Sequence, residues 1–379
     1  MKTESRDQVS DLFRSSYLLD DPALCVNSRA RKVICTDCEK ACAVKAIKPG
    51  VDNISLNEDD CTLCGACVPV CPAGALRLSV FDPAKFLEAA AQMDELHVHC
   101  SESRDGGGGI VIPCHLMIDA RLASVATNGG KRDLILHGRP QCHECPRANA
   151  KNHAPPLSQA LKRWFGPSSR AVRWARAGEE AQSKASQHLD QAQANRRNFL
   201  RLAGARAISN ISWLVPASTG TLAQEAGIYV PGEFKRKEEP YQRALAATAS
   251  AYVWHENPLL PFMLRRISDA CSHCGICADR CPTGALGHAH GPGWKGIDYE
   301  AQACTNCGLC TAICPEAAIS AQAATSWEMV VEPRQPLTRC ELERCSRCGQ
   351  PFKASDDAVC PACNKETDMD AAWMAMLGG

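Results

Sequence analysis

Short apolar runs separated by polar turns predict a small α/β unit in the second quarter of the chain. Three strands are predicted from apolar runs bounded by polar residues, at 96–99, 110–113 and 133–137. Between the second and third strands, apolar residues at helical spacing predict a helix over 115–128, and Gly129 and Gly130 supply its stop signal. No stretch approaches the roughly 18 consecutive apolar residues of a membrane span, so no transmembrane helix is predicted.

Cysteine is the residue type that departs most from ordinary composition. The chain has 379 residues, enough for two or three domains, and 25 of them are cysteines. Their fraction is below that of short secreted proteins stabilised by disulfides, and an odd number cannot pair completely within one chain. Aromatic residues make up only 5%, so large aromatic cores are not expected. Metal ligation is therefore the better explanation for the cysteines.

The charge balance and the N-terminus exclude further classes of protein. Lys and Arg total 42 and Asp and Glu total 42, so the chain lacks the positive excess typical of nucleic-acid binding. Residues 1–21 carry acidic side chains and no apolar run behind a basic start, so no secretory signal is predicted. We therefore expect a reducing, cytoplasmic location, with membrane association left open by a basic segment further along the chain.

One cysteine pattern, C-x2-C-G-x-C-x3-C-P, occurs three times, at 61–72, 271–282 and 304–315. A degenerate copy at Cys35, Cys38 and Cys42 keeps the last three cysteines, but it lacks the glycine and the proline. Lys32 stands where its first cysteine would be. The glycines of the regular copies are expected at positive φ, where they bring backbone N–H groups close to the sulfurs: Gly65, Gly275 and Gly308. Zinc or disulfides are the alternative explanation for these cysteines.

These motifs resemble those of the bacterial-type two-cluster ferredoxins, in which the fourth cysteine of each motif ligates the other cluster. The resemblance implies four [4Fe-4S] clusters in two pairs. The C-terminal ligand sets that it implies are Cys271, Cys274, Cys277 and Cys314, and Cys304, Cys307, Cys310 and Cys281. The N-terminal sets that it implies are Cys61, Cys64, Cys67 and Cys42, and Cys35, Cys38 and Cys71. Cys25 is the nearby candidate for the ligand missing from the last set, and a three-cysteine [3Fe-4S] cluster is the alternative.

A third group of cysteines lies in and after the predicted α/β unit: Cys100, Cys114, Cys142 and Cys145. The first two follow predicted strands, whose carboxyl ends are where open α/β sheets usually hold ligands. The unit resembles the small iron-sulfur domains of multi-cluster electron carriers, such as delta-type subunits of hydrogenase–reductase assemblies and thioredoxin-like [2Fe-2S] ferredoxins. The resemblance implies an additional [2Fe-2S] or [4Fe-4S] cluster, with zinc or free redox thiols as alternatives. His99, His115 and His143 are expected beside the site rather than as ligands.

Two C-x2-C knuckles lie near the C-terminus, formed by Cys345 and Cys348 and by Cys360 and Cys363. Four thiolates in tetrahedral coordination suit zinc, and the pattern resembles a zinc ribbon. We expect the metal to stabilise a tail that is too small to build its own core. A rubredoxin-like iron and a nucleic-acid contact are the alternatives. Cys340 has no assigned role, although it could replace a knuckle cysteine.

The segment 151–206 has no cysteine and carries eleven Lys or Arg against three acidic residues. It is interpreted either as a basic amphipathic segment on an anionic membrane or partner subunit, or as a solvated linker. Within it, the run around Arg196 and Arg197 resembles the twin-arginine export signal. Because such signals are N-terminal, three explanations stay open: a retained or fused signal, a mimic that binds an export chaperone, and a chance match on a surface helix.

Together these patterns predict an α+β protein made of small modules. The expected modules are an N-terminal dicluster module at 1–95, a small α/β four-cysteine module at 96–150, a basic linker at 151–235, a C-terminal dicluster module at 236–325 and the zinc ribbon at 326–379.

The resemblance implies a carrier of single electrons rather than an enzyme with its own substrate site. No dinucleotide-binding G-x-G-x-x-G follows a predicted strand, and no nucleophile elbow is present. The expected partners are subunits of a larger oxidoreductase, of molybdopterin type if the twin-arginine-like run is a guide, and no nucleic acid is expected. The alternative functions are a maturation factor for a redox enzyme and an iron-sulfur redox sensor.

Overall fold

The computed structural model describes residues 18–103, 108–138, 145, 147, 154–170, 172–181, 186–189, 237–256, 259–353 and 358–376. The twin-arginine-like run, Cys142 and His143 lie outside these described residues. Within the described ranges, no helix combines the length and the apolar character that crossing a membrane requires.

The N-terminal dicluster module consists of short strands and helices around its cysteines. In chain order they are β1 (Leu18–Asp20), α1 (Val26–Ala30), α2 (Asp37–Ala41), β2 (Ile47–Pro49), β3 (Ile54–Leu56) and β4 (Leu76–Leu78). β1 pairs with β4 and β2 pairs with β3, both antiparallel. The outer residues of β2 and β4 are buried and their central residues are exposed, as expected for strands that cover one side of a small core.

The four-cysteine module is an α/β unit, as the sequence predicted, and its strands are parallel. Its elements are α3 (Pro83–Ala91), β5 (Leu96–Cys100), β6 (Gly109–Ile112), α4 (Ala120–Ala126), β7 (Leu134–His137), α5 (Ala154–Phe165), β8 (Val172–Trp174) and β9 (Ser186–His188). The strands form one parallel sheet in the order β8-β7-β5-β6-β9. β5, β6 and β7 correspond to the three predicted strands.

The single helix predicted over 115–128 is divided in two. A short 3-10 turn at His115–Met117 is followed by α4. Asp119 lies between them in extended conformation, and its side chain accepts a hydrogen bond from the backbone N–H of Leu122. This is an N-cap, which starts a new helix and therefore interrupts the old one.

The expected linker at 151–235 is wrong in its described part, because α5, β8 and β9 belong to the α/β module. Leu157 and Leu161 of α5 are buried in the module's core. Phe165 packs against the rings of Tyr252 and Trp254, so this aromatic side chain contacts protein. Only Lys162 and Arg163 are basic in α5, but the basic composition of the whole segment 151–206 conceals the apolar face of this helix. Three-residue strands are too short to show a period.

One core joins the N-terminal dicluster module to the α/β module. It contains Val68 and Leu76 from the cysteine-rich part and Phe86, Leu96 and Ile110 from the sheet and its helix. The expected boundary near residue 95 therefore does not separate two independent cores.

The C-terminal dicluster module repeats the plan of the N-terminal one. After α6 (Pro240–Ala249), its elements are β10 (Met263–Ile267), α7 (Ile276–Arg280), β11 (Leu286–Gly291), β12 (Trp294–Tyr299), α8 (Leu309–Ile313) and β13 (Ile319–Ala323). β10 pairs with β13, as β1 pairs with β4, and β11 with β12 forms the inner hairpin.

The C-terminal ribbon continues the sheet of this module. Its elements are α9 (Glu328–Val331), β14 (Gln335–Pro336), β15 (Cys340–Arg344), β16 (Pro351–Lys353) and α10 (Pro361–Met376). β14 and β15 both pair with β12, and β16 pairs with β15. The ribbon therefore shares backbone hydrogen bonds with the dicluster hairpin, across the boundary expected at residue 326.

Candidate iron-sulfur and metal centres

The three regular cysteine motifs share one backbone conformation. The residue before each second cysteine has φ of 55–56°, at Leu63, His273 and Asn306. The glycine after each second cysteine lies at φ of 71°, 81° and 74°, as expected for Gly65, Gly275 and Gly308. Left-handed residues on both sides of the second cysteine curl the loop and turn its N–H groups inward, which is the geometry of a backbone nest.

The degenerate motif keeps the regular conformation around its last cysteine, Cys42, and differs around Cys35, which corresponds to the second cysteine of the regular motifs. Helix α2 occupies the same place before the fourth cysteine as α7 and α8 do in the C-terminal motifs. Lys45, three residues after Cys42, has φ of 56°, like Gly74 after Cys71 at 63°. Thr36 takes the glycine position with φ of −132°, because a β-branched side chain disfavours the left-handed region. The loop that carries the first cysteine in the three regular motifs therefore has a different conformation in the degenerate motif.

A buried asparagine closes this loop of the degenerate motif. Cys25 immediately precedes α1, and Asn27 within α1 is fully buried. Its Nδ2 donates to the carbonyl of Cys35, while its Oδ1 accepts from the N–H groups of Ile34 and Cys35, each at 2.9 Å. These three bonds hold the start of the degenerate motif against the helix that follows Cys25.

The structure brings Cys25 to the three cysteines of the incomplete set. Burial, followed by the nearby thiols of Cys71, Cys35 and Cys25, raises the pKa of Cys38 to about 12. Burial and the Cys25 thiol also raise the pKa of Cys71. Four buried or partly buried thiols that interact in this way fit an iron-sulfur cluster, because coordination deprotonates such thiols.

The second N-terminal set meets in one enclosed cavity. Cys42, Cys61, Cys64 and Cys67 line it together with apolar side chains that include Ile47. Burial raises the pKa of Cys67, and the thiols of Cys64 and of Cys38 from the neighbouring set raise it further. Four converging thiols in an otherwise apolar cavity have the donor set and the surroundings of a [4Fe-4S] site.

Cys281, Cys304, Cys307 and Cys310 line an equivalent cavity in the C-terminal module. Burial, followed by the thiols of Cys281, Cys304 and Cys310, raises the pKa of Cys307 to about 12. The crossed set that the ferredoxin resemblance implied is thus gathered in one place.

The remaining set lies next to it. Burial, followed by the thiols of Cys310, Cys271 and Cys274, raises the pKa of Cys277 to about 12. Cys314 ends α8, which packs against α7. Cys274 is exposed, so this set lies at the surface of the module.

Backbone amides support the fourth cysteine in three of the sets. The N–H groups of Ala46, Ala75 and Ala318 donate to the sulfurs of Cys42, Cys71 and Cys314, at 3.2, 3.3 and 3.3 Å. Each donor is four residues after its cysteine. N–H groups directed at a thiolate stabilise its negative charge, and the degenerate motif retains this feature at Cys42.

The two dicluster modules meet at a buried junction. Val26 of α1 and Leu309 of α8 lie in one apolar cluster with Cys35 and Cys307. Lys32, which stands in place of a cysteine, donates from Nζ to the carbonyl of Ala312 in α8 at 2.9 Å. The position that lost a ligand therefore forms a contact between the modules.

The third group of cysteines lies at the carboxyl end of the parallel sheet. Cys100 ends β5, Cys114 precedes the 3-10 turn after β6, and the nearby thiol of Cys145 adds to burial in raising the pKa of Cys100. A Cβ on Gly138 would lie 3.3 Å from the Cys100 sulfur, so the chain passes close to this thiol. Cys142, the fourth predicted ligand, lies outside the described residues.

Buried histidines line the strands that lead to this group. His97 and His137 are hydrogen-bonded between Nδ1 and Nε2 at 2.7 Å, and the ring of His99 stacks on His137 at 4.1 Å. Burial, followed by the charges of His99 and His97, lowers the pKa of His137 to about 4. Nε2 of His99 and Nε2 of His115 each donate to a backbone carbonyl, which places both histidines beside the cysteines in supporting positions.

The C-terminal knuckles form a compact four-thiol site. The sulfurs of Cys345, Cys348, Cys360 and Cys363 all lie within 4.8 Å of one another. Hydrogen bonds from the backbone of Cys360 and Cys348 lower the pKa of Cys345. This donor set fits zinc or a single iron. Cys340 is buried at the opposite end of β15 from Cys345.

Comparison with known proteins agrees with this geometry. A profile of the 4Fe-4S binding domain matches residues 54–77, and a profile of the 4Fe-4S dicluster domain matches residues 270–318. The ferredoxin of Alicyclobacillus acidocaldarius subsp. acidocaldarius is 37% identical over 59 residues, which are 16% of this chain and 69% of that ferredoxin. The motifs and these matches define an iron-sulfur protein of the electron-transfer class. The chain belongs to the bacterial-type ferredoxin family.

Sequence reasoning missed two residues of these sites. Asn27 closes the loop behind Cys25. The only sequence feature that could have identified it is an asparagine in a short segment without a clear helical pattern. Arg265 lines the cavity of Cys281, Cys304, Cys307 and Cys310. It lies six residues before Cys271, which is a member of the other C-terminal set. No spacing rule connects an arginine in a strand to a cysteine so far along the chain.

Proposed function

We propose that the protein carries single electrons along one continuous relay of four [4Fe-4S] clusters, held by the four cysteine sets described above. When bound, such clusters supply one-electron chemistry at a potential set by their surroundings. The observation that supports a continuous relay is the junction at which Cys35 and Cys307, from different modules, share one apolar cluster with Val26 and Leu309.

Electrostatic interactions between cysteines support one order of the sets. Cys67 and Cys38 interact within the N-terminal module, and Cys277 and Cys310 interact within the C-terminal module. Cys35 belongs to the set of Cys38 and Cys307 to the set of Cys310. Because Cys35 and Cys307 lie at the junction between the modules, these two sets are the inner pair. The sets of Cys67 and Cys277 are the outer pair.

The outer N-terminal set is coupled to the α/β module. A Cβ on Gly65 would overlap the Met117 sulfur, and the φ of 71° at Gly65 disfavours any side chain, so the two modules are in direct contact at a position that suits glycine. Arg147 donates to the carbonyl of Leu63, in the loop between Cys61 and Cys64. The third group of cysteines therefore lies at one end of the relay, which favours an additional iron-sulfur cluster there over a zinc ion.

The partners proposed for this relay are subunits of a larger oxidoreductase that give and take electrons at its two ends. The chain positions the thiols, and the oxidation of a substrate is assigned to a partner. An assembly factor for a redox enzyme is the second candidate, and an iron-sulfur sensor is the third. Reduction by a stoichiometric partner enzyme supports the relay, whereas salt-dependent DNA binding would support the sensor.

Iron analysis of anaerobically purified protein tests the proposal. Four [4Fe-4S] clusters require about 16 irons per chain, and the third group would add about two to four. Fewer than about 12 irons would contradict four clusters. Reduced protein should show magnetically interacting [4Fe-4S] signals by EPR, and isolated signals would contradict a continuous relay.

A ligand variant with a matched control tests the least regular set. Cys25→Ser is expected to lower the iron content by about one to four atoms per chain. Cys340→Ser changes a buried cysteine outside all the sets and should leave the iron content unaltered. Full iron content in Cys25→Ser would assign the set of Cys38 three cysteine ligands.

A further inference from the structure

One buried arginine is directed at the inner C-terminal set. Arg265 in β10 is 4% exposed. Its Nη2 donates to the Cys304 sulfur at 3.7 Å and to Oδ1 of Asn306 at 2.9 Å. The same guanidinium lines the cavity of Cys281, Cys304, Cys307 and Cys310.

The positive charge of this guanidinium acts mainly on the cysteine thiolates. Asn306 is neutral, and Nε of Arg265 is buried without a hydrogen-bond partner among the described residues. Burial lowers the pKa of Arg265, but the thiolates of Cys304 and Cys310 more than offset this effect, and the pKa is raised overall. A buried donor without a partner, beside four thiols, fits a site whose further acceptors are the sulfurs of a cluster.

The inner C-terminal set combines a backbone hydrogen bond, from Leu309 to Cys307, with the charge of Arg265, whereas the other three sets receive neutral support at their fourth cysteine. Neutral backbone amides donate to Cys42, Cys71 and Cys314. A full positive charge in a poorly solvated site stabilises added negative charge more strongly than a neutral amide dipole does. Reduction of an iron-sulfur cluster adds one negative charge, and hydrogen bonds to the sulfurs and the net charge nearby set its potential.

We infer that Arg265 raises the reduction potential of the cluster held by Cys281, Cys304, Cys307 and Cys310, so that electrons collect at this inner position of the relay. This inference rests on the proposed function, because it assigns a property to one of the four proposed clusters. Arg265 donates to the sulfur of Cys304, a proposed ligand, and thereby positions a positive charge beside the cluster site.

The test is a redox titration of the full-length protein followed by EPR, with iron analysis of every variant. In Arg265→Gln, the reduced-to-oxidised ratio of one cluster at a fixed ambient potential is expected to fall at least tenfold, which corresponds to 59 mV for one electron. Arg266→Gln is the matched control, because Arg266 is the exposed neighbour on the same strand and bonds to Gln322. It should leave every ratio within about twofold of the unmodified protein.

A charge-retaining variant separates charge from shape. Arg265→Lys should keep the ratio within about threefold of the unmodified protein, since a buried ammonium supplies the same charge. The inference is overturned if Arg265→Gln binds full iron with unchanged potentials, or if Arg265→Lys shifts the ratio as far as Arg265→Gln. Loss of iron from Arg265→Gln together with an unshifted Arg265→Lys supports the role of charge. An iron content below about 12 in the unmodified protein would instead contradict the proposed function itself.

Discussion

Arg29 and Arg280 each donate a hydrogen bond to the other's backbone carbonyl oxygen, at 3.1 and 3.0 Å, across the junction between the two dicluster modules. Arg29 is 1% exposed and also donates to the carbonyl of Ala23 at 2.9 Å. The reciprocal pair flanks the apolar cluster that contains Cys35 and Cys307. It therefore holds together the part of the molecule on which a continuous relay depends.

Arg29→Ala is expected to lower the free energy of unfolding by about 2–3 kcal/mol, because one buried and one partly buried carbonyl lose a charged donor. Arg280→Ala should cost about 1 kcal/mol, since its side chain is partly exposed and one bond of the pair remains. Urea unfolding followed by circular dichroism measures both effects. Arg243→Ala, which removes an exposed ion pair with Glu238, is the control and should change stability little. Equal, small losses in all three variants would contradict a stabilising role for the pair.

Asn27→Ala should release the degenerate motif from α1 and lower both stability and iron content. The three bonds of Asn27 are buried, so their loss is expected to cost about 2–4 kcal/mol and about four irons per chain. Ser28→Ala is the matched control in the same helix, because the Ser28 hydroxyl is buried with no hydrogen-bond partner in the described part of the chain. Metal analysis and unfolding should show Ser28→Ala at least as stable as the unmodified protein. Full iron content in Asn27→Ala would show that Asn27 is not needed for cluster binding.

Cys348→Ser should abolish metal binding at the C-terminal ribbon while the clusters stay in place. A four-thiolate zinc site contributes binding energy directly to folding, so its loss should unfold the loop between β15 and β16. Zinc analysis and amide hydrogen exchange of residues 340–353 measure the two effects. Cys340→Ser should retain about one zinc per chain, and a red, iron-loaded ribbon in the unmodified protein would contradict the zinc assignment.

The stability of the α/β module should fall as the pH drops from about 6.5 to 4, because the folded pKa of His137 is lowered to about 4. In this window the unfolded chain binds a proton at His137 and the folded chain does not, so acid favours unfolding. His137→Asn, which cannot titrate, should show a shallower fall between pH 7 and pH 5. Urea midpoints at both pH values measure it, and equal slopes for the two proteins would show that the pKa of His137 is the same in the folded and unfolded states.

The cysteine spacing predicted the ferredoxin motifs and the ribbon knuckles correctly because the loops of such sites are local. The left-handed conformations at Leu63 and Gly65 recur at His273 and Gly275, and each requires only the residues of its own loop. The parallel strands at 96–100 and 109–112 were predictable for a similar reason, since a buried strand shows its character in a few consecutive apolar residues.

Composition was a poorer guide to packing. Aromatic residues are few, yet one cluster of packed rings joins α5 to the C-terminal half: Phe165, Tyr252, Trp254 and Trp327. The helix α5 itself was expected in a linker, because the basic composition of the segment 151–206 conceals the buried Leu157 and Leu161.

The sequence by itself determined the kind of chemistry, because metal ligation by a short loop depends on residue identity and spacing within about a dozen residues. Only the tertiary structure decided how the sets are arranged. It placed Cys25 with Cys38 and Cys71, and it brought Cys35 to Cys307 through a contact between α1 and α8. It also directed Arg265 at Cys304. These relationships join segments that are distant along the chain, and the packing of whole modules, rather than any local pattern, brings them together.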